Sequence, residues 1–188
     1  MIGDFNSFRA IKRPKKYIRR EFTPIMAFSD RACRYFERPG SANTEVVIEA
    51  VSRRLEEGDI WSVVVASTSG RTGLKFAEKI HEKARIIVVS YEKIPPRIRE
   101  GITGFGGVVV DNAGLPLHRR GMDKIRNTLY VLGQGFKVAV EVILIAVDEG
   151  VLKTGQVVIG IRGTARGAGT AIVAKASSSR DARLGDQA

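Results

Sequence analysis

The residues best suited to chemistry lie at positions 67–72, directly after the apolar run Val63-Val64-Val65-Ala66. They supply four hydroxyls, a glycine and an arginine: Ser67, Thr68, Ser69, Gly70, Arg71 and Thr72. A helix-periodic segment follows, and the first amides of a helix lack intrahelical partners and carry partial positive charge. Glycine allows close approach to a phosphate, and arginine adds a charge-assisted contact. The order of strand, polar loop and helix predicts a phosphate site, with helix capping by Ser69 or Thr72 as the alternative.

A second loop, at positions 162–170, has three glycines, two arginines and two threonines in nine residues. Hairpin loops usually take 2–5 residues, so this one is long for a simple reversal. Its glycines favour an anion-binding nest, and its arginines add charge. The candidate residues are Arg162, Gly163, Arg166, Gly167 and Thr170, and the alternative is a flexible surface loop. Neither loop has the Gly-Lys-Ser/Thr pattern of nucleoside-triphosphate sites, and the second lacks the dinucleotide-binding spacing.

Lys137 and Glu141 are four residues apart in an apolar segment that is periodic as a helix. The simplest interpretation is a surface ion pair. The alternative is that Glu141 faces a pocket and accepts hydrogen bonds from a ligand. Neither His81 nor His118 lies in a catalytic motif, so these residues assemble no nucleophile–base pair.

The composition favours one cytoplasmic globular domain without a metal centre. The chain has 188 residues, 44% of them hydrophobic, and no apolar run long enough to cross a bilayer. Cys33 is the single cysteine, which excludes an internal disulfide framework and fits a reducing compartment. With two histidines and one thiol, no metal-ligand spacing emerges.

The basic charge is concentrated at the beginning of the chain. The formal net charge is +11, and residues 1–25 hold seven Lys or Arg against two acidic residues. Interleaved aromatic residues would suit a nucleic-acid-binding arm. A disordered arm, or translation that starts at Met26, fits better, and nucleic-acid binding is disfavoured. The expected organisation is an arm at 1–30, one ligand-binding domain at 31–176 and a loose tail at 177–188.

Apolar strands and amphipathic helices alternate along the chain. Strands are expected at 34–36, 61–66, 85–90, 108–110, 157–161 and 171–174. Helices are expected from 43 or 44 to 58 and at 72–83, 122–132 and 136–149, with at most a short one in 91–100. The pattern predicts an α/β fold with a mostly parallel mixed sheet ending in an antiparallel hairpin, whose ligand lies beyond the strand ends.

Several separated motifs resemble the C-terminal alpha/beta domain of pyruvate kinases, and still more the small stand-alone archaeal proteins that consist of such a domain. The strand, loop and helix at 63–83 and the final hairpin carry the first resemblance. The second rests on Tyr35-Phe36, Pro39-Gly40, Asn43-Thr44-Glu45, Val64-Val65-Ala66-Ser67, Lys137-Val138, Val140-Glu141, Arg162-Gly163 and Arg166-Gly167. The resemblance covers about residues 34–175.

The resemblance implies a three-layer α/β/α sandwich that binds a phosphorylated small molecule and forms a homodimer. The stand-alone relatives are associated with flavin mononucleotide (FMN), and the pyruvate kinase domain with a sugar bisphosphate. It adds Asn43, Thr44, Lys137 and Glu141 to the candidate pocket. Since it includes no catalytic barrel, pyruvate kinase activity is not expected. A flavin-dependent oxidoreductase and a sugar-bisphosphate-sensing domain remain the alternatives to an FMN-binding protein.

Overall fold

Five strands form the mixed sheet of the computed structural model, which describes residues 31–162 and 167–184. They are β1 (Ser62–Ala66), β2 (Arg85–Val89), β3 (Val108–Val110), β4 (Val157–Arg162) and β5 (Thr170–Lys175), in the order β3-β2-β1-β4-β5. β1 pairs in parallel with β2 and β4, and β2 with β3, whereas β5 is antiparallel to β4. The expected mixed sheet with a final antiparallel hairpin is confirmed.

The helices follow the apolar periodicity of the sequence closely. They are α1 (Asn43–Leu55), α2 (Arg71–Ile80), α3 (Pro96–Gly104), α4 (Asp123–Val131), α5 (Gln134–Asp148) and α6 (Ser179–Leu184), with a short 3₁₀ helix at Pro116–His118. In the described part, no helix combines the length and the apolar character that crossing a membrane requires.

Three elements differ from the expectation. The strand expected at 34–36 does not form, and Tyr35 in that segment is 89% exposed, so its ring gives the segment no buried face. Helix α3 is longer than expected because Pro96 occupies its first turn, where a missing N–H costs nothing. Helix α6 lies in the stretch expected to be loose. The Ser178 hydroxyl accepts a bond from the Asp181 N–H and donates to its carboxylate, as at a capped helix start.

Helices cover both faces of the sheet, which makes a three-layer α/β/α sandwich. Val63 and Val65 of β1 pack with α1 and α2 on one face, while Val64 and Ala66 pack with α5 on the other. Because both faces are covered, β1 is buried along its length, which explains its continuous apolar sequence. On the second face α4 packs outside α5.

The strand order places a crevice at the carboxyl edge of the sheet. From β1 the chain proceeds to β2 and β3 on one side, whereas β4 lies on the other side of β1. The connections after β1 and β4 therefore diverge, and this is the point where open α/β sheets bind ligands. Gly160 of β4 lets helix α5 lie close against the sheet. A Cβ at this position would lie 2.5 Å from the Ala139 carbonyl oxygen.

Candidate functional site

A cleft of about 280 Å³ opens at this carboxyl edge, on the side of the sheet that α5 covers. The turns after β1 and β2, the 3₁₀ helix, α4, α5 and the end of β4 all contribute to it. Its polar and aromatic lining consists of Ser67, Thr68, Ser90, Tyr91, His118, Tyr130, Gln134, Lys137, Glu141 and Arg162.

The turn after β1 is held in place by backbone hydrogen bonds. The Ser67 N–H donates to the Val89 carbonyl at 3.0 Å, and the Ser67 carbonyl accepts from the Gly70 N–H at 3.1 Å. The Ser90 hydroxyl donates to the Thr68 carbonyl at 3.1 Å, which ties this turn to the turn after β2. Ser67 and Thr68 thus form a fixed rim of the cleft.

The remaining residues of this loop begin α2 and are not among the cleft-lining residues. Gly70 precedes the helix with φ +76°, and no side chain caps the helix, so the capping alternative for Ser69 and Thr72 is wrong. The first intrahelical bond runs from the Leu74 N–H to the Gly70 carbonyl at 2.8 Å. The amides before it have no helical acceptor, and Ser69 and Arg71 beside them are exposed.

Lys137 and Glu141 form a buried ion pair in the wall of the cleft. Their side chains are 3% and 2% exposed, and Lys137 Nζ lies 2.7 Å from Glu141 Oε2. Glu141 Oε1 also accepts from the Leu117 N–H at 3.2 Å, and His118 Nε2 lies 2.8 Å from Lys137 Nζ. The interpretation as a surface pair is wrong, because α5 turns this face toward the cleft rather than to solvent.

Arg162 supplies a positive charge that no described residue compensates. It ends β4 on the α5-facing side, two residues after Gly160, and its Nε is buried without a hydrogen-bond partner among the described residues. Burial lowers the pKa of the guanidinium below its ordinary value, and the nearby Tyr91 opposes that shift. A desolvated cation of this kind favours an anionic ligand in the cleft.

The other candidates lie around the hairpin. Thr44 is buried, and its hydroxyl accepts from the Ala168 N–H at 3.0 Å, while Asn43 donates to the Arg38 carbonyl at 2.8 Å. A Cβ on Gly167 would clash with the Thr44 hydroxyl, so the hairpin loop packs directly on α1. Thr170 lies against Gly135 at the start of α5. Of these three polar side chains, Thr44 supports the hairpin loop, Asn43 holds the segment before α1, and Thr170 packs against α5. Gly163 and Arg166 lie outside the described residues.

Sequence reasoning missed His118, Tyr91 and Tyr130 as lining residues. Ser90 and Tyr91 follow β2 as Ser67 and Thr68 follow β1, so the rule that parallel strands end at one edge could have found them. Tyr91 and Tyr130 stay 54% and 38% exposed and offer aromatic surface in the cleft. His118 and Tyr130 come from elements whose position depends on packing against α5, and no local pattern indicates it.

A larger but shallower depression of about 380 Å³ lies between α1 and α2. Its charged side chains are mostly paired: Glu49 with Arg53 at 2.7 Å, and Glu56 with Lys83 at 2.7 Å. It therefore offers less to a charged ligand than the cleft at the strand ends. Among the described residues no group of His, Cys, Asp or Glu could hold a metal ion.

Comparison with known proteins identifies the family of the chain by one match. A family model described as "Pyruvate kinase, alpha/beta domain" matches residues 45–175, from the first turn of α1 to the end of β5. Among solved structures, a pyruvate kinase from Cryptosporidium parvum is similar at 13% identity with a TM-score of 0.40. That alignment covers 73% of this chain and 23% of the kinase, so the chain spans less than a quarter of that protein's length.

Proposed function

This chain belongs to the family of pyruvate kinase alpha/beta domains, and from that premise we propose that it binds a phosphorylated small molecule, FMN foremost, in the cleft at the strand ends. The observation that carries the proposal is the Arg162 guanidinium, which is partly buried, has no counter-ion among the described residues and faces the cleft. A phosphate beside it would supply the missing charge and acceptors. The hydroxyls of Ser67 and Thr68 lie on the rim of the same cleft.

The charge balance of the cleft favours a ligand with one phosphate over a bisphosphate. Glu141 neutralises Lys137 within the wall, so Arg162 is the one uncompensated cation among the described lining residues. A second phosphate would meet a carboxylate nearby. FMN carries a single phosphate, which fits this balance.

The shape and lining of the cleft also suit FMN. At about 280 Å³ it is smaller than most ligand pockets, which span about 300–1,000 Å³, so it has room for only part of such a ligand, and Arg162 in its lining favours the phosphate-bearing part. The exposed rings of Tyr91 and Tyr130 offer stacking surface for a planar ring system outside the enclosed part. A bound flavin would bring redox chemistry to the cleft.

Binding of FMN and riboflavin, followed by quenching of flavin fluorescence, tests the proposal. FMN should bind more tightly, because riboflavin has the same ring and ribityl chain without the phosphate. Equal affinities would show that the phosphate contributes nothing to binding. If neither compound bound, flavin would be excluded as the ligand.

Two arginine variants would test where the phosphate binds. Arg162→Gln should weaken FMN binding by about 10- to 150-fold, the effect of losing a charge-assisted hydrogen bond, and should leave riboflavin unchanged. Arg71→Gln is the matched control, since Arg71 is exposed and outside the cleft lining. If Arg71→Gln had the larger effect, the phosphate would lie on the α2 N-terminus instead.

A further inference from the structure

The side chains around Lys137 fix the protonation of His118. Lys137 Nζ contacts Glu141 Oε2 at 2.7 Å and His118 Nε2 at 2.8 Å, and it lies 5.6 Å from the centre of the Tyr130 ring. A lysine ammonium has three donors and no acceptor, so every atom that it contacts must accept. Carboxylate oxygens and a ring face satisfy this requirement without change, whereas a histidine nitrogen does so only when it carries no proton.

The two hydrogen bonds that Glu141 accepts indicate that Lys137 is the donor in this cluster. Its Oε1 accepts from the Leu117 N–H at 3.2 Å while Oε2 accepts from Lys137, so both oxygens act as acceptors of an ionised carboxylate. A buried carboxylate requires a cation beside it, and Lys137 is that cation. His118 Nε2 is then unprotonated, and the neutral ring carries its proton on Nδ1.

We infer that His118 is held as the neutral Nδ1–H tautomer and donates a hydrogen bond to an uncharged acceptor, a carbonyl oxygen or a ring nitrogen, on the ligand. His118 lines the cleft, and its Nδ1 has no partner among the described residues. Lys137 occupies Nε2, so Nδ1–H is the group of this ring that remains for a ligand. The inference rests on the proposed function, because it concerns the uncharged part of the same phosphorylated ligand.

The arrangement divides recognition between two places in one cleft. Arg162 supplies charge for a phosphate, whereas His118 supplies a neutral donor whose direction is set by the buried pair. Because the phosphate takes Arg162, His118 is left for a carbonyl oxygen or a ring nitrogen elsewhere on the same ligand, an acceptor that inorganic phosphate does not have.

Nitrogen NMR of protein labelled at histidine tests the tautomer directly. The chain has two histidines, and His81 is the internal control, because its Nδ1 lies 2.9 Å from the Ala77 carbonyl and must donate. At neutral pH the His118 ring should show a protonated Nδ1 and an unprotonated Nε2. A protonated Nε2, in either the other tautomer or an imidazolium, would overturn the inference.

Binding to two variants tests the donor role. His118→Leu, which cannot donate, should weaken FMN about three- to tenfold and leave inorganic phosphate unchanged. His118→Gln, which can still accept from Lys137 and donate to the ligand, should restore most of the FMN affinity, and His81→Gln should have no effect.

The outcomes separate this inference from the proposed function. Unchanged FMN affinity in His118→Leu would refute the donor role while the phosphate-binding function stands. An equal loss of FMN and inorganic phosphate would refute it too, since His118 would then contact the phosphate. A wild-type protein that bound neither FMN nor phosphate would overturn the function and the donor role together, and the NMR spectrum would still decide the tautomer.

Discussion

The buried pair of Lys137 and Glu141 makes a quantitative prediction about stability. Glu141→Gln keeps the shape of the side chain and can still accept from the Leu117 N–H, but it leaves Lys137 without a counter-charge. Removing one partner of a buried pair costs about 3–5 kcal/mol, because the other charge stays desolvated. We expect the lower half of that range here, since Lys137 keeps His118 and the Tyr130 ring as neighbours.

The double variant Lys137→Met with Glu141→Gln shows whether the loss of stability comes from an unpaired buried charge or from the loss of either side chain itself. Lys137→Met alone strands the carboxylate and should cost as much as Glu141→Gln. The double variant leaves no buried charge at these positions and keeps the acceptor for the Leu117 N–H, so it should lie within about 1 kcal/mol of wild type. The single variants together should therefore cost more than the double variant by at least about 5 kcal/mol, which is the coupling that the double-mutant cycle should give.

Urea unfolding followed by circular dichroism is the suitable assay. The single tryptophan, Trp61, is 69% exposed, so its emission would report unfolding poorly. In thermal scans Glu141→Gln should lower Tm by about 6–16 °C, from a loss of about 3–4 kcal/mol at about 2–4 °C per kcal/mol for a chain of this length. A loss below about 1 kcal/mol, or strictly additive single variants, would show that the pair behaves as an exposed one and would refute the reasoning.

Three further predictions concern single positions. Arg162→Met should stabilise the free protein by about 0.5–2 kcal/mol in urea unfolding, because it removes a desolvated cation. The same variant should weaken FMN binding. A loss of stability would mean that Arg162 has a counter-charge. Gly70→Ala should destabilise by about 1–3 kcal/mol, since φ is +76° and the new Cβ would lie 2.7 and 2.8 Å from two isoleucine side chains; a neutral effect would contradict the packing of this turn. The hydrogen bonds that Asp111 accepts from the Arg99 side chain and from the Ile94 N–H hold its pKa below the ordinary value. The stabilisation from these bonds is therefore present above the ordinary pKa of an aspartate and is lost as the pH falls through the lowered pKa. Asp111→Asn should thus cost about 1–3 kcal/mol at pH 7, and this cost should decrease steadily as the pH falls below the ordinary pKa of an aspartate; a cost that did not change with pH would exclude the ion pair as its source.

The fold could be predicted from the sequence because its strongest signals are local. The continuous apolar run at 63–66 indicates a strand buried on both faces, and the positions of β1, β2, β4 and β5 follow from such runs. The segment at 34–36 has two aromatic residues of high strand propensity but does not form a strand, so local propensity alone misled there. Pairing partners decide whether an apolar run becomes a strand, and a single sequence does not reveal them.

The candidate site could be predicted only in part. Ser67, Thr68 and Arg162 follow strand ends, so the topology of the sheet brings them to one edge. The burial of Glu141 depends on how α5 is rotated against the sheet, and its contact with the Leu117 N–H spans 24 residues. Interactions over such a separation leave no periodic trace in the sequence, which is why His118 was not foreseen.

The two sides of the cleft differ in how firmly the protein holds them. Helix α5 touches the sheet so closely at Gly160 that it has no room to shift, whereas α4 has no fully buried residue. Displacing α4 would therefore expose less buried surface than displacing α5, and Tyr130 would move with it. If the cleft holds a ligand as proposed, a wider ligand would displace the Tyr130 side, while the backbone that carries Lys137 and Glu141 would keep its position.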